Sequence, residues 1–112
     1  MLNRFRVKLI NRFFRHMEAY DITMQELKEK QNNGAIILDV RSSQEYNEGH
    51  IYGAINIPEY EINRKVDKIL NNKEKEIILY CSSGIRSKDA YKKLSKLGYN
   101  NLYNLYGGLE NY

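Results

Sequence analysis

Residues 77–80, Ile-Ile-Leu-Tyr, are apolar without a break, and a cysteine, two serines and a glycine follow them directly. A run that offers no polar side chain to either face cannot lie in a sheet with one wet side. It fits a strand covered on both faces, as in a parallel sheet between layers of helices. Ala35-Ile36-Ile37-Leu38 is a second such run, and Ile55-Asn56-Ile57 is a brief one ended by Pro58. Leu102 to Leu105 forms a last strand before Gly107-Gly108.

Helical patterns separate these strands. Thr23 to Glu26 and Ser42 to Glu45 each have the spacing of a capping box. The first opens a helix to about Gln31, with a stop at Asn32-Asn33-Gly34. Ile62, Val66, Ile69 and Leu70 make a stripe at helical spacing. The span Ser87 to Leu97 turns Ala90, Leu94 and Leu97 inward and has Gly98 just past its end. Strands alternating with helices imply βαβ units, hence an α/β fold with a mostly parallel sheet and helices on both faces.

At 112 residues there is room for one domain. The formal charge of +4 is unevenly spread. Residues 1–18 hold Arg4, Arg6, Lys8, Arg12 and Arg15 against Glu18 alone, which leaves thirteen basic and thirteen acidic residues in 19–112. The excess belongs to an N-terminal extension and the domain proper, 19–112, is neutral. A nucleic-acid partner is therefore not expected, because it requires basic surface on the folded body. Within the extension Leu2, Phe5, Leu9, Phe13 and Met17 recur at three- and four-residue spacing, the mark of an amphipathic helix. It is expected to pack on the domain or on a second copy; the alternative is peripheral contact with anionic lipid. No apolar run approaches the roughly 18 residues that span a bilayer. The single cysteine cannot form an intrachain disulfide, and a free thiol suits a reducing compartment, so a cytoplasmic location is expected.

The chemistry concentrates in Cys81-Ser82-Ser83-Gly84-Ile85-Arg86-Ser87, between the most apolar strand and a helix start. In open α/β sheets ligands bind at the carboxyl ends of strands, beside helix N-termini. Amide groups there lack intrahelical partners, and the helix dipole adds partial positive charge. Small residues and Gly84 let the backbone curl until several N–H groups converge. The expected result is an anion cradle with the Cys81 sulfur at its base, a setting that favours the thiolate. Arg86 adds a permanent charge, either toward a bound anion or to hold the loop in shape. Such a thiolate can take the outer sulfur of thiosulfate or of a persulfide, hold it as Cys–S–S⁻, and yield it to cyanide or a thiol. The plainer reading is that Cys81 merely ends a strand in the core, but that does not account for the ordered Gly, Arg and helix start after it.

These residues resemble the rhodanese family. Leu38-Asp39-Val40-Arg41, Glu45-Tyr46, Gly49-His50-Ile51 and Gly53-Ala54-Ile55-Asn56-Ile57-Pro58 are similar to its first signature. Tyr80 through Ser87 is similar to its active-site loop, and Gly98-Tyr99, Leu105 and Gly107-Gly108 to its C-terminal portion. The resemblance spans roughly residues 20–112. It implies a five-stranded parallel sheet with flanking helices, a persulfide on Cys81 as the catalytic residue, a substrate loop of Ser82, Ser83, Gly84, Ile85, Arg86 and Ser87, and no metal or organic cofactor. Four residues separate Cys81 from Arg86, whereas related phosphatases and arsenate reductases of similar fold place five there, making a wider ring for a tetrahedral oxyanion. The expected reaction is therefore sulfur transfer from a small donor to a thiol or cyanide. A persulfide carrier between proteins is the second reading, and phosphatase or arsenate-reductase chemistry the third. The chain departs from the family pattern at Tyr112, where many members have tryptophan, and at Ile85, where some thiosulfate users carry a further basic residue. The basic extension also lies outside it.

Asp39, Arg41 and Glu45 are expected to fix loops near the sheet edge, with Asp39 alternatively bordering the site's mouth. His50 is expected to be structural rather than a base for Cys81. Lys88, Lys92, Lys93 and Lys96 read as a solvated helix face able to meet an acidic partner.

Overall fold

The computed structural model describes residues 17–112, so the helix expected over residues 1–18 lies, but for its last two positions, outside the described residues. Among the described residues five strands, β1 (Asp21–Ile22), β2 (Ile36–Asp39), β3 (Ile55–Asn56), β4 (Ile77–Tyr80) and β5 (Leu102–Leu105), form one sheet. Every pairing is parallel, in the order β1-β5-β4-β2-β3. The apolar strand β4 is central, with Ile77 to Tyr80 in register with Ile36 to Asp39 on one side. On its other side Ile77 pairs with Leu102.

Side chains of β4 alternate between two cores, which is why it had to be apolar throughout. Ile77, Leu79 and Cys81 enter a core shared with Ile62, Val66, Ala90 and Leu94. These come from helices α3 (Ile62–Ile69) and α4 (Ile85–Lys96). Ile78 and Tyr80 face the other way, into a core with Leu27 and Tyr46. Those two belong to α1 (Met24–Asn32) and α2 (Ser43–Glu48). Both predicted capping boxes form, Thr23 with Glu26 and Ser42 with Glu45, so each of these helices starts where its sequence specifies.

Two expectations change, and the fifth strand of the sheet falls where no pattern marked it. Strand β1 carried no sequence signal, being two residues long and half charged; it exists because Asp21 and Ile22 pair with Asn104 and Leu105. Ile69 is not part of the inward stripe of α3: it is 47 % exposed, while Ile62, Val66 and Leu70 are buried. Helix α4 begins at Ile85 rather than Ser87, so the last three residues of the cysteine loop form its first turn. No helix among the described residues is long and apolar enough to cross a membrane.

Candidate functional site

Strand β2 is followed by α2 on one face of the sheet, and its neighbour β4 is followed by α4 on the opposite face. The carboxyl ends of β2 and β4 therefore border the crevice where the chain's winding reverses, the position at which open α/β sheets bind ligands. Cys81 leaves β4 at that point. The residue is fully buried, and its Sγ accepts hydrogen bonds from the backbone amides of Gly84 (3.0 Å) and Ser87 (3.3 Å). Its thiol faces the Ser87 hydroxyl at 3.5 Å, and that hydroxyl donates to the Gly84 carbonyl at 3.2 Å. The turn closes because Gly84 takes φ +95°, a conformation that strains any other residue. With α4 starting at Ile85, the amides of Ile85 and Arg86 also have no carbonyl within their own helix.

Arg86 takes the shape-holding role. It makes a two-point pair with Glu45, Nη1 to Oε1 at 2.6 Å and Nη2 to Oε2 at 2.9 Å. Ser82 joins it, its hydroxyl donating to Glu45 Oε2 at 3.1 Å. Glu45 is also the third residue of the α2 capping box, accepting from the Ser42 amide and hydroxyl. One carboxylate thus ties the cap of α2 to the cysteine loop across the crevice. The Arg86 guanidinium, above all, with help from Ser42 and Ser82, holds the Glu45 carboxyl far below the usual carboxylate range. In the same pair, Glu45 raises the Arg86 guanidinium.

A second restraint comes from the C-terminus. The amide of Leu109 donates to the Cys81 carbonyl (2.8 Å), and that of Glu110 to the Ser82 carbonyl (2.8 Å). Gly108 passes so close that a Cβ there would lie 2.5 Å from the Ser82 carbonyl oxygen and 2.7 Å from that of Cys81. The final 3-10 turn, Leu109–Asn111, is a clamp on the loop's outer carbonyls.

The residues expected at the site are therefore divided. Gly84 and Ser87 touch the sulfur, while Ser82 and Arg86 turn to Glu45. Ser83 is exposed, and Ile85 is 71 % exposed at the head of α4. Asp39 does not border the mouth. It lies fully buried, with both carboxylate oxygens on Arg41 at 2.7 to 3.1 Å, and Arg41 also reaches the Gly49 carbonyl at 2.6 Å. Strand alternation places Asp39 on the α1/α2 side of the sheet and Cys81 on the other. Nor does Glu45 pair with Arg41, four residues before it; sheet order brings it to Arg86 instead. The ring of His50 stacks on Tyr46 at 3.7 Å, with Nδ1 2.8 Å from the Tyr46 carbonyl oxygen. Lys93 is engaged by Glu59 (2.7 Å). The Glu45–Arg86 tie and the Gly108 clamp were the parts that sequence reading missed.

Glu45→Gln is expected to keep the helix cap but lose the negative charge that faces Arg86. Both partners are about one-third exposed or more, so the cost is modest, about 0.5–1 kcal/mol at neutral pH. A carboxyl depressed on folding stabilises fully above its unfolded value, near 4.3, and loses that contribution as pH falls from there through its folded value. The difference in melting temperature between wild type and Glu45→Gln should hold from pH 7 to about 5.5 and shrink below about 4.

The chain matches the family described as Rhodanese-like domain over residues 23–112, and it belongs to that family. A human single-domain sulfurtransferase superposes with a TM-score of 0.74 at 27 % identity, over 83 % of this chain and 94 % of the other. A rhodanese from E. coli solved with anions gives 0.64 at 32 % identity, over 70 % and 92 %. Among curated proteins the chain is 35 % identical over 82 residues to a tRNA uridine(34) hydroxylase of Hamiltonella defensa. It is 33 % identical over 86 residues to one of Buchnera aphidicola. It covers 70 % and 73 % of its own length in these matches, but spans only about a quarter of those relatives.

Proposed function

We propose that this domain is a sulfurtransferase that carries sulfane sulfur on Cys81. The observation that carries the reading is the seat of the sulfur: Sγ rests on two amides at the start of α4, in the crevice where the winding reverses. Family membership and the sulfurtransferase among its structural relatives support it. In the first half-reaction the Cys81 thiolate attacks the outer sulfur of a donor such as thiosulfate or a persulfide. The S–S bond to the donor breaks, sulfite or a thiolate leaves, and Cys–S–S⁻ remains. In the second, cyanide or an acceptor thiolate attacks that outer sulfur, and thiocyanate or a new persulfide departs. The Gly84 and Ser87 amides stabilise the Cys81 thiolate at the start and when it is expelled at the end. The Ile85 and Arg86 amides supply donors for the charge on the outer sulfur.

A carrier that exchanges sulfur with other proteins is favoured by one observation. The loop's single cation is committed to Glu45, which leaves it poorly equipped for a free dianion such as thiosulfate. Intact mass tests both. Incubation with thiosulfate or a low-molecular-weight persulfide should add one sulfur, about 32 Da, and cyanide should remove it. Loading without repeated turnover would select the carrier, whereas no mass gain with either donor would refute the persulfide mechanism.

A further inference from the structure

An open cleft of about 620 Å³ lies against the outer side of the cysteine loop. Ser83, Gly84 and Ile85 form one wall, Lys88 and Lys92 on successive turns of α4 another, and Tyr106 with the C-terminal segment a third. Cys81 is not in the lining, but Gly84 is shared: its amide holds Sγ at 3.0 Å while the residue faces the cleft. The cleft thus lies against Gly84, three residues after Cys81 and in direct contact with its sulfur. Its character is mixed, with an aliphatic face from the exposed Ile85, an aromatic ring from Tyr106 and two ammonium groups. Asp89 also contributes to the lining, so the local charge balance is positive by one.

Other cations nearby are committed. Arg86 is bound to Glu45, and Lys93 to Glu59. Among the described residues no ion pair engages Lys88 or Lys92. They are the first uncommitted positive charges after the thiol along the chain. The volume falls within the range that accommodates a small organic molecule rather than an inorganic ion.

We infer that this cleft is the subsite of the sulfur acceptor, and that Lys88 and Lys92 select acceptor thiols bearing carboxylate or phosphate groups. The inference rests on the Cys81 persulfide reading above. The acceptor's carbon skeleton lies on Ile85 and Tyr106, and its anionic groups meet the two lysines. Its thiolate attacks the outer sulfur of Cys81–S–S⁻. A new S–S bond forms as the old one breaks, the acceptor leaves as its own persulfide, and Cys81 is restored as thiolate on the Gly84 and Ser87 amides.

The test loads the full chain with sulfur and measures discharge by thiols of graded charge: neutral 2-mercaptoethanol, 3-mercaptopropionate and mercaptosuccinate. In parallel, backbone amide shifts are followed while the unreactive thioether S-methylmercaptosuccinate is titrated. The wild type should prefer mercaptosuccinate over the neutral thiol after correction for thiol reactivity. The anionic-to-neutral rate ratio should fall roughly threefold for Lys88→Gln or Lys92→Gln, the scale of an exposed ion pair, and further, by up to about tenfold, for the pair. The thioether should shift Ser83, Ile85, Lys88 and Lys92. Discharge insensitive to acceptor charge, or variants that slow every thiol alike, would overturn the inference. So would transfer to an acidic protein that depends on salt, with no shifts from the small thioether. If shifts appear at the cleft but no sulfur loads on Cys81, the anion subsite stands and the persulfide reading fails.

Discussion

Cys81→Ser is expected to take up no sulfur and to lower transfer by on the order of a thousandfold or more, because the covalent intermediate has no atom on which to form. Folding should survive. A serine hydroxyl has two lone pairs, and it can keep accepting from the Gly84 and Ser87 amides, at somewhat longer reach. Cys81→Ala should be equally inactive but less stable than the serine variant. It leaves two buried amides without an acceptor, at about 1–3 kcal/mol each. This order distinguishes a sulfur seated in a donor cradle from a sulfur that merely fills space. A small buried hydrophobe, which its place in the α3/α4 core could suggest, predicts the opposite: alanine tolerated and serine penalised for its polar group. Urea midpoints of the two variants, read beside intact mass after donor treatment, decide the matter. Retained loading in Cys81→Ser would overturn the mechanism, and alanine outranking serine in stability would remove the cradle's energetic role.

The cradle was legible because its parts are consecutive. A buried strand, a cysteine, small residues, a glycine and a helix start occupy eleven positions, and chain continuity alone brings them together. The capping boxes were legible for the same reason, since each joins residues three apart. What holds the cradle in place was not. Glu45 and Arg86 are 41 residues apart, and the pattern around Glu45 is fully explained by its local work at the α2 cap. Its second role follows only once β2 and β4 are known to be neighbours with their helices on opposite faces. Asp39 takes the loop-fixing role expected of it, paired with Arg41, and only the alternative place at the mouth fails. As the last residue of β2 it has its face set by strand alternation, which it shares with Tyr80 rather than with Cys81. Strand β1 was hidden because two residues do not make a pattern. Helix α4 starts two residues before Ser87 because Ile85 and Arg86 belong at once to the cysteine loop and to the helix.

Gly108→Ala is expected to cost about 3–5 kcal/mol, a large share of the 5–15 kcal/mol that holds a typical domain together. Two penalties combine. The backbone at φ +70°, ψ −172° lies in a region that is essentially glycine's own, where another residue is strained by about 1–3 kcal/mol. The added methyl would also sit 2.5 to 2.7 Å from the carbonyl oxygens of Ser82 and Cys81. These are backbone atoms and cannot rotate aside, so the C-terminal segment must lift. Lifting it loosens the bonds from Leu109 and Glu110 to the same carbonyls, each worth about 1 kcal/mol net. The consequence reaches function, because those carbonyls belong to the residues that turn the chain toward Gly84 and the sulfur cradle. Gly34→Ala is the control. Its φ is also positive, at +97°, but a methyl there meets only Lys75 Nζ at an ordinary 3.5 Å, far from the loop. It should cost about 1–2 kcal/mol and leave sulfur loading intact. Melting temperatures should fall by well over 10 °C for Gly108→Ala and by roughly half that or less for Gly34→Ala. Loading of Cys81, assayed below both melting points, should slow only in the first. Equal losses of stability in the two variants would show that backbone strain alone acts at Gly108. Normal loading in a folded Gly108→Ala protein would show that the C-terminal clamp does not shape the cradle.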